Sequence, residues 1–242
     1  MEKLTDWKDI YKSKVVTAEA AIKAVHSGDK VVTGFGCGEP FRIERALVEN
    51  YKNYRDVEII SMLTLGDSPW CREEMKGHFT LNCLFASPSN REAISNGSCE
   101  FTTSHFYEIP EILQNCICPR VAIVTVSPPD EHGFVSFGTT VDYTWGTTDY
   151  CEVVIAQVNK YMPRTFGSSI KHVRDFTYFV EHDEKLPEVK SGEISETEMH
   201  NCGEGHPSVY RNIIREVVPG DAVNQHGVRW DAATEEQKAA GK

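Results

Sequence analysis

The chain has 242 residues, 40% of them hydrophobic, and a formal net charge of −11 from 36 acidic against 25 basic residues. Such a length and apolar content suit one large domain, or one domain with a tail, and an acidic chain with no basic run beyond a pair disfavours binding nucleic acid through its phosphates. No stretch approaches the roughly 18 to 20 apolar residues that span a bilayer, so no membrane partner is expected. The N-terminal MEKLTDWKDIYKSK is charged and lacks an apolar signal core, which points to the cytoplasm. The 8 cysteines contain no C-x-x-C pair, and Cys83, Cys99 and Cys151 fall in or beside strand-like runs, so reduced thiols are expected. The histidines lack the i, i+4 spacing of a helical metal site, and no metal is implied.

In chain order, Thr17 caps a first helix with Glu19 in its first turn, Ala21, Ile22 and Val25 on its apolar face, and Gly28 ending it. A strand over 30–34, a Gly-rich loop and a helix over 41–53 follow. Strand-like runs recur at 57–64, 80–86, 100–104, 121–126 and 152–159, with helical patterns at 89–95 and 109–115 between several of them. This alternation predicts an α/β fold, an open and mostly parallel sheet with helices packed on it. After about residue 185 the chain turns polar and weakly periodic, so the expected division is a domain over 1–185 and a linker and tail over 186–242, with one short apolar stretch at 213–218.

Two segments have the composition of ligand-binding turns. In Gly34-Phe-Gly36-Cys-Gly38-Glu39-Pro40, alternate glycines let backbone amides approach a ligand, and a helix starts directly afterwards. The spacing lacks the displaced third glycine of a dinucleotide fingerprint and the Lys-Ser of a phosphate-binding P-loop. A tight strand-to-helix turn with no ligand explains the pattern equally well. Glu39, the loop's one carboxylate, reads first as an acid at a helix start, where the dipole favours it; a hydrogen-bond anchor or a reacting group are the other uses. In the second segment the buried run Val121 to Val126 is stopped by Ser127, Pro128, Pro129 and Asp130. Gly133 then permits a turn, and a short strand over 134–137 follows. Asp130 is placed to accept backbone amides in an Asx turn, while His132 either meets a ligand phosphate or sits exposed. Ser136 and Gly138 shape the turn, and no histidine and acid can be tied to Ser136 as in a serine hydrolase. Further on, Gln157, Asn159, Pro163 and Arg164 follow a buried strand, with Arg164 suited to a carboxylate, a phosphate or a surface ion pair.

SPPDEHGFVSFG (127–138) resembles the S-P-P-D-x-x-G-x-x-S-x-G turn of family I coenzyme A transferases, in the branch of 4-hydroxybutyrate and butyrate:acetate CoA-transferases and acetyl-CoA hydrolases. DKVVTGFGCGEP (29–40), FASPSNREAISNG (85–97) and AQVNKYMPRTFGSSIKHV (156–173) resemble three other segments of that family, in the same order. The chain departs from the pattern at Gln157, where glutamate is usual, at Ser168, where the G-D-S aspartate is expected, and at Lys171, where an apolar residue is more usual. The resemblance implies an acyl-CoA and carboxylate site lined by Gly34, Gly36, Gly38, Glu39 and Pro40, by Ser127, Pro128, Pro129, Asp130, His132 and Gly133, and by Asn159. Coenzyme A enters as a thioester substrate, with no separate cofactor.

The family mechanism uses a glutamate that attacks the thioester and passes through acyl-glutamyl anhydrides and a glutamyl-CoA thioester. The resemblance puts that glutamate in a second α/β domain. Where such a domain would begin, this sequence reads REVVPGDAVNQHGVRW, and Glu198 lies in a polar stretch with no strand before it. No catalytic residue is therefore assigned within the chain. The expected partner is a second domain or subunit that supplies the glutamate, with homo- or hetero-oligomers following from the apolar surface such a half must expose. The alternatives are an acyl-CoA hydrolase and a non-catalytic acyl-CoA-binding domain.

Overall fold

The protein is described from a computed structural model covering residues 6–188. The expectations placed on 189–242, including the apolar stretch at 213–218 and Glu198, lie outside the described residues.

Short apolar runs bounded by glycine, proline and charge become β1 (Lys30–Thr33), β2 (Val57–Ser61), β3 (Phe79–Cys83), β4 (Glu100–Phe101), β5 (Val121–Val126), β7 (Val153–Val158) and β9 (Tyr178–Glu181). They form one sheet in the order β4-β3-β2-β1-β5-β7-β9, and every neighbouring pair is parallel. The central strand β5 is buried along all 6 residues, as a sheet covered on both faces requires. Each such valine contributes about 1.5–3 kcal/mol of burial. Side chains alternate between two cores. Val31, Ile59, Leu81 and Ile123 face one, while Val32, Ile60 and Ala122 face the other.

On the first face lie α2 (Ala18–Ala21), α3 (Phe41–Glu49), whose Ile43, Ala46 and Leu47 are fully buried, and α4 (Arg91–Ser95), which brings Ala93. On the second lie α5 (Ile109–Ile112) and α6 (Tyr143–Thr147), which bring Ile109 and Tyr143. A small antiparallel ribbon, β6 (Phe134–Ser136) with β8 (Ile170–His172), stands beside the main sheet. It closes a third cluster around Val124, Phe137, Phe176 and Phe179, against which α1 (Trp7–Lys14) packs Trp7, Ile10 and Tyr11.

Several elements differ in length from what the sequence pattern predicts. The run 57–64 leaves the sheet after Ser61, because the Leu63 carbonyl is taken by the Gly36 amide (2.8 Å). Of 100–104, two residues pair as an edge strand. The helix at 109 runs on as a wide turn over Leu113–Ile117 and stops at Cys118, whose φ of 54° is left-handed. The sequence reading did not include α1, α6, β8 or β9.

Candidate functional site

The strand order locates the site. From β1 the chain builds outward through β2 to β4; from β5 it builds the other way through β7 to β9. β1 and β5 are neighbours, so the segments leaving their carboxyl ends diverge and open a crevice, the place where open α/β sheets bind ligands. Those segments are Gly34–Pro40 and Ser127–Gly138, the two turns singled out from sequence.

The first loop is built almost wholly from backbone. Gly34 N donates to Ile123 O of β5 (2.9 Å), which ties the loop to the neighbouring strand end. Gly36 to Gly38 make one tight turn before α3. Gly38 lies against the second segment: a Cβ there would sit 2.4 Å from the Thr140 side chain. Tyr143 braces the floor from below. Its hydroxyl donates to Thr33 O at the end of β1 (3.0 Å) and accepts from Met62 N just past β2 (3.3 Å).

Glu39 does not cap α3. Its carboxylate turns away and accepts from Leu65 N (3.1 Å), in the loop after β2. The amide of Arg42 in the first turn of α3 is instead capped by Gln157 Oε1 (3.0 Å). A neutral amide oxygen performs that task, so glutamine in place of the usual glutamate leaves the cap intact. Glu39 and Glu44 are 4% and 6% exposed and hydrogen-bonded to each other. Burial pushes the Glu39 carboxyl up to about 7 against the opposing amides of Leu65 and Gly66. Burial and then the Glu39 charge push Glu44 well above the usual carboxylate range. Glu44 thus stays an acid that donates to Glu39, and the pair holds a proton at neutral pH. Sequence reasoning missed Glu44, although an acid between Ile43 and Leu47 on the apolar face of α3 is itself a signal.

The second segment has a rigid base and an exposed tip. Ser127 Oγ accepts from Ser136 N (3.0 Å), and Ser136 Oγ accepts from Gly138 N and Thr165 N (both 3.1 Å). At the tip Asp130 closes the expected Asx turn, accepting from His132 N and Phe134 N (both 2.9 Å), and its other oxygen pairs with Arg164. His132 is exposed, with Glu131 at 3.4 Å. Pro128 and Pro129 line a different cleft, with Tyr11, Lys160 and Glu181. The structure therefore brings Gly34–Pro40 together with the base of the second segment, while Asp130, His132 and the prolines lie apart. Asn159 is buried and structural, donating to Glu184 O (2.6 Å) and accepting from Tyr161 N (3.0 Å).

Beside the loop a cleft of about 620 Å³ is bounded by Phe41, Glu44, Arg45, Leu65, Gly66 and Arg72, with Glu184, Lys185 and Pro187 also lining it. Among the described residues no group of three or more His, Cys, Asp or Glu is arranged to hold a metal ion, and no helix is long and apolar enough to cross a membrane. What the crevice offers is a backbone-lined wall with a protonated carboxyl pair behind it.

Comparison with known proteins places this geometry in a family. The chain is 39% identical over 201 residues to a 4-hydroxybutyrate coenzyme A transferase of Clostridium kluyveri, covering 81% of this chain and 47% of that protein. It is 29% identical over 167 residues to a butyryl-CoA:acetate CoA-transferase of Anaerostipes caccae, covering 66% and 36%. The solved structure of a 4-hydroxybutyrate CoA-transferase from Porphyromonas gingivalis superposes with a TM-score of 0.66 at 30% identity, covering 78% of this chain and 44% of that one. The chain thus spans half or less of the length of these relatives. The model of the acetyl-CoA hydrolase/transferase N-terminal domain matches residues 1–189, and the chain belongs to that family.

Proposed function

We propose that this domain forms the acyl-CoA-facing half of a CoA-transferase, which moves coenzyme A between an acyl-CoA and a short-chain carboxylate such as acetate, butyrate or 4-hydroxybutyrate. The observation that carries the reading is the 39% identity, sustained over 201 residues, to a 4-hydroxybutyrate coenzyme A transferase. The covalent step falls to a glutamate outside the described residues. Glu39 and Glu44, the acids beside the loop, are buried and engaged with backbone amides and with each other, a poor arrangement for attacking a thioester. A second domain or subunit supplies it, and the exposed Phe85, Phe106 and Phe166 are apolar surface suited to such a partner. The free thiols among the described residues accord with work in the cytoplasm.

The test is turnover of acetyl-CoA and butyryl-CoA by the purified chain with acetate present, following transfer and thiol release separately, alongside coenzyme A binding by calorimetry. Binding without turnover is the expected result, as is transfer restored on adding the C-terminal half of a full-length relative. Turnover by the chain alone would place the nucleophile within it. Absence of coenzyme A binding would remove the reading.

A further inference from the structure

A second cluster of reactive side chains lies at the far edge of the sheet, away from the crevice. Cys83 ends β3, Cys99 leads into β4, and Cys71 closes the short turn Pro69–Cys71. The Sγ atoms of Cys83 and Cys99 are 3.6 Å apart, and both thiols donate to the same acceptor, Glu100 O, at 3.4 and 3.2 Å. The two sulfurs are in van der Waals contact, an arrangement that suits sulfur–sulfur bonding. Cys83 and Cys99 are 1% and 7% exposed, but a cleft of about 230 Å³, lined by Cys71, Cys99, Gly97 and Lys76, reaches the cluster from solvent.

We propose that Cys83 and Cys99 are an oxidisable pair, and that a small hydroperoxide admitted through this cleft closes a disulfide between them. Cys99 lines the cleft and Cys83 sits behind it, so the peroxide meets the Cys99 sulfur. On losing its proton, that sulfur takes the distal peroxide oxygen, the O–O bond breaks, and the displaced oxygen leaves as water or an alcohol with the proton. The Cys99 hydrogen bond lowers the pKa of Cys83 despite burial, which favours Cys83 as the resolving thiol. Cys83 sulfur then displaces the oxygen of the Cys99 sulfenic acid; the S–O bond breaks, the S–S bond forms and water leaves with the Cys83 proton. Two thiols lose two electrons and the peroxide gains them. The sulfurs must close from 3.6 Å to about 2.05 Å, and the product ties the two-residue edge strand covalently to β3.

The test is titration of the full chain with hydrogen peroxide, alkylation in denaturant, and peptide mapping without reductant. The expected result is loss of two of the 8 thiols. A peptide linking Cys83 to Cys99 should appear about 2 Da lighter than the sum of its parts and revert with dithiothreitol. Cys71→Ala, outside the pair, should still form the bridge; Cys99→Ser should lose it. The wild-type map decides alone if a variant fails to fold. Oxidation confined to the exposed Cys116 and Cys118 with Cys83 and Cys99 both alkylated, or a bridge between Cys71 and Cys99, would overturn the assignment.

Discussion

Two loops leave neighbouring parallel strands on either side of one crevice, and their carboxylates are tuned in opposite directions. After β1, Glu39 is buried beside a second acid, and its ionisation is pushed up to about 7. After β5, Asp130 lies at an exposed tip. Burial is the largest single influence there and pushes the carboxyl up, but the amides of Phe134 and His132 and the Arg164 guanidinium together outweigh it and hold the carboxyl below its usual range. Residue type does not decide the behaviour of these acids. The first is fixed by the absence of water and the second by the donors around it.

The comparison can be broken most sharply at the base of the second loop. Gly138 has φ +60°, and a Cβ there would lie 2.4 Å from Met162 Sδ and 2.5 Å from Pro163 O. Gly138→Ala is expected to cost about 3 kcal/mol or more, read from the denaturant midpoint at constant m-value. A loss below 1 kcal/mol would mean that the base is not rigid.

Next in size is the pH response of Glu39. Its folded pKa is raised, so the folded state binds the proton more tightly than the unfolded chain does. The associated stability is complete below the unfolded value of about 4.5 and is lost as pH rises through about 7. The change is on the order of 3 kcal/mol. Glu39→Gln should flatten that part of the stability curve, measured by unfolding at pH 5, 6, 7 and 8. An unchanged slope would show that the Glu39 carboxyl is not raised in the folded state.

Smallest are the changes at the tip. Asp130→Ala removes an acceptor of two amides and should cost about 1 kcal/mol. His132→Ala should stay within about 0.5 kcal/mol. Thermal unfolding of the two variants side by side checks this, and an equal or reversed order would undo the contrast between a fixed acid and a free histidine.

Much of the α/β architecture was legible because apolar runs such as Val121–Val126 are short, β-branched and closed by proline or glycine. The Asx turn at Asp130 was legible because it is local: donors and acceptor lie within four residues. The fate of Glu39 was not, since its partners Leu65 and Glu44 reach it from another loop and from the next helix. Nothing within Gly34–Pro40 says that the acid turns away from the helix start beside it. Strand β9 escaped for a similar reason. Phe176, Tyr178 and Phe179 show no clean alternation, and it is the pairing of Ile155 to Val158 with Tyr178 to Glu181 that makes the segment a strand.

The packing of α1 bears on the order in which the molecule is made. Tyr11 donates to Glu181, 170 residues later, and Lys14 Nζ caps the Val173 carbonyl 159 residues on. This helix precedes every described strand in the chain, and its partners are among the last of them to be made. Until those arrive, Trp7, Ile10 and Tyr11 face water, and each contact they await closes a loop of nearly the whole domain. Vectorial synthesis leaves this aromatic stripe as bait for holdase chaperones, and its capture by β9 is the step that ends that exposure.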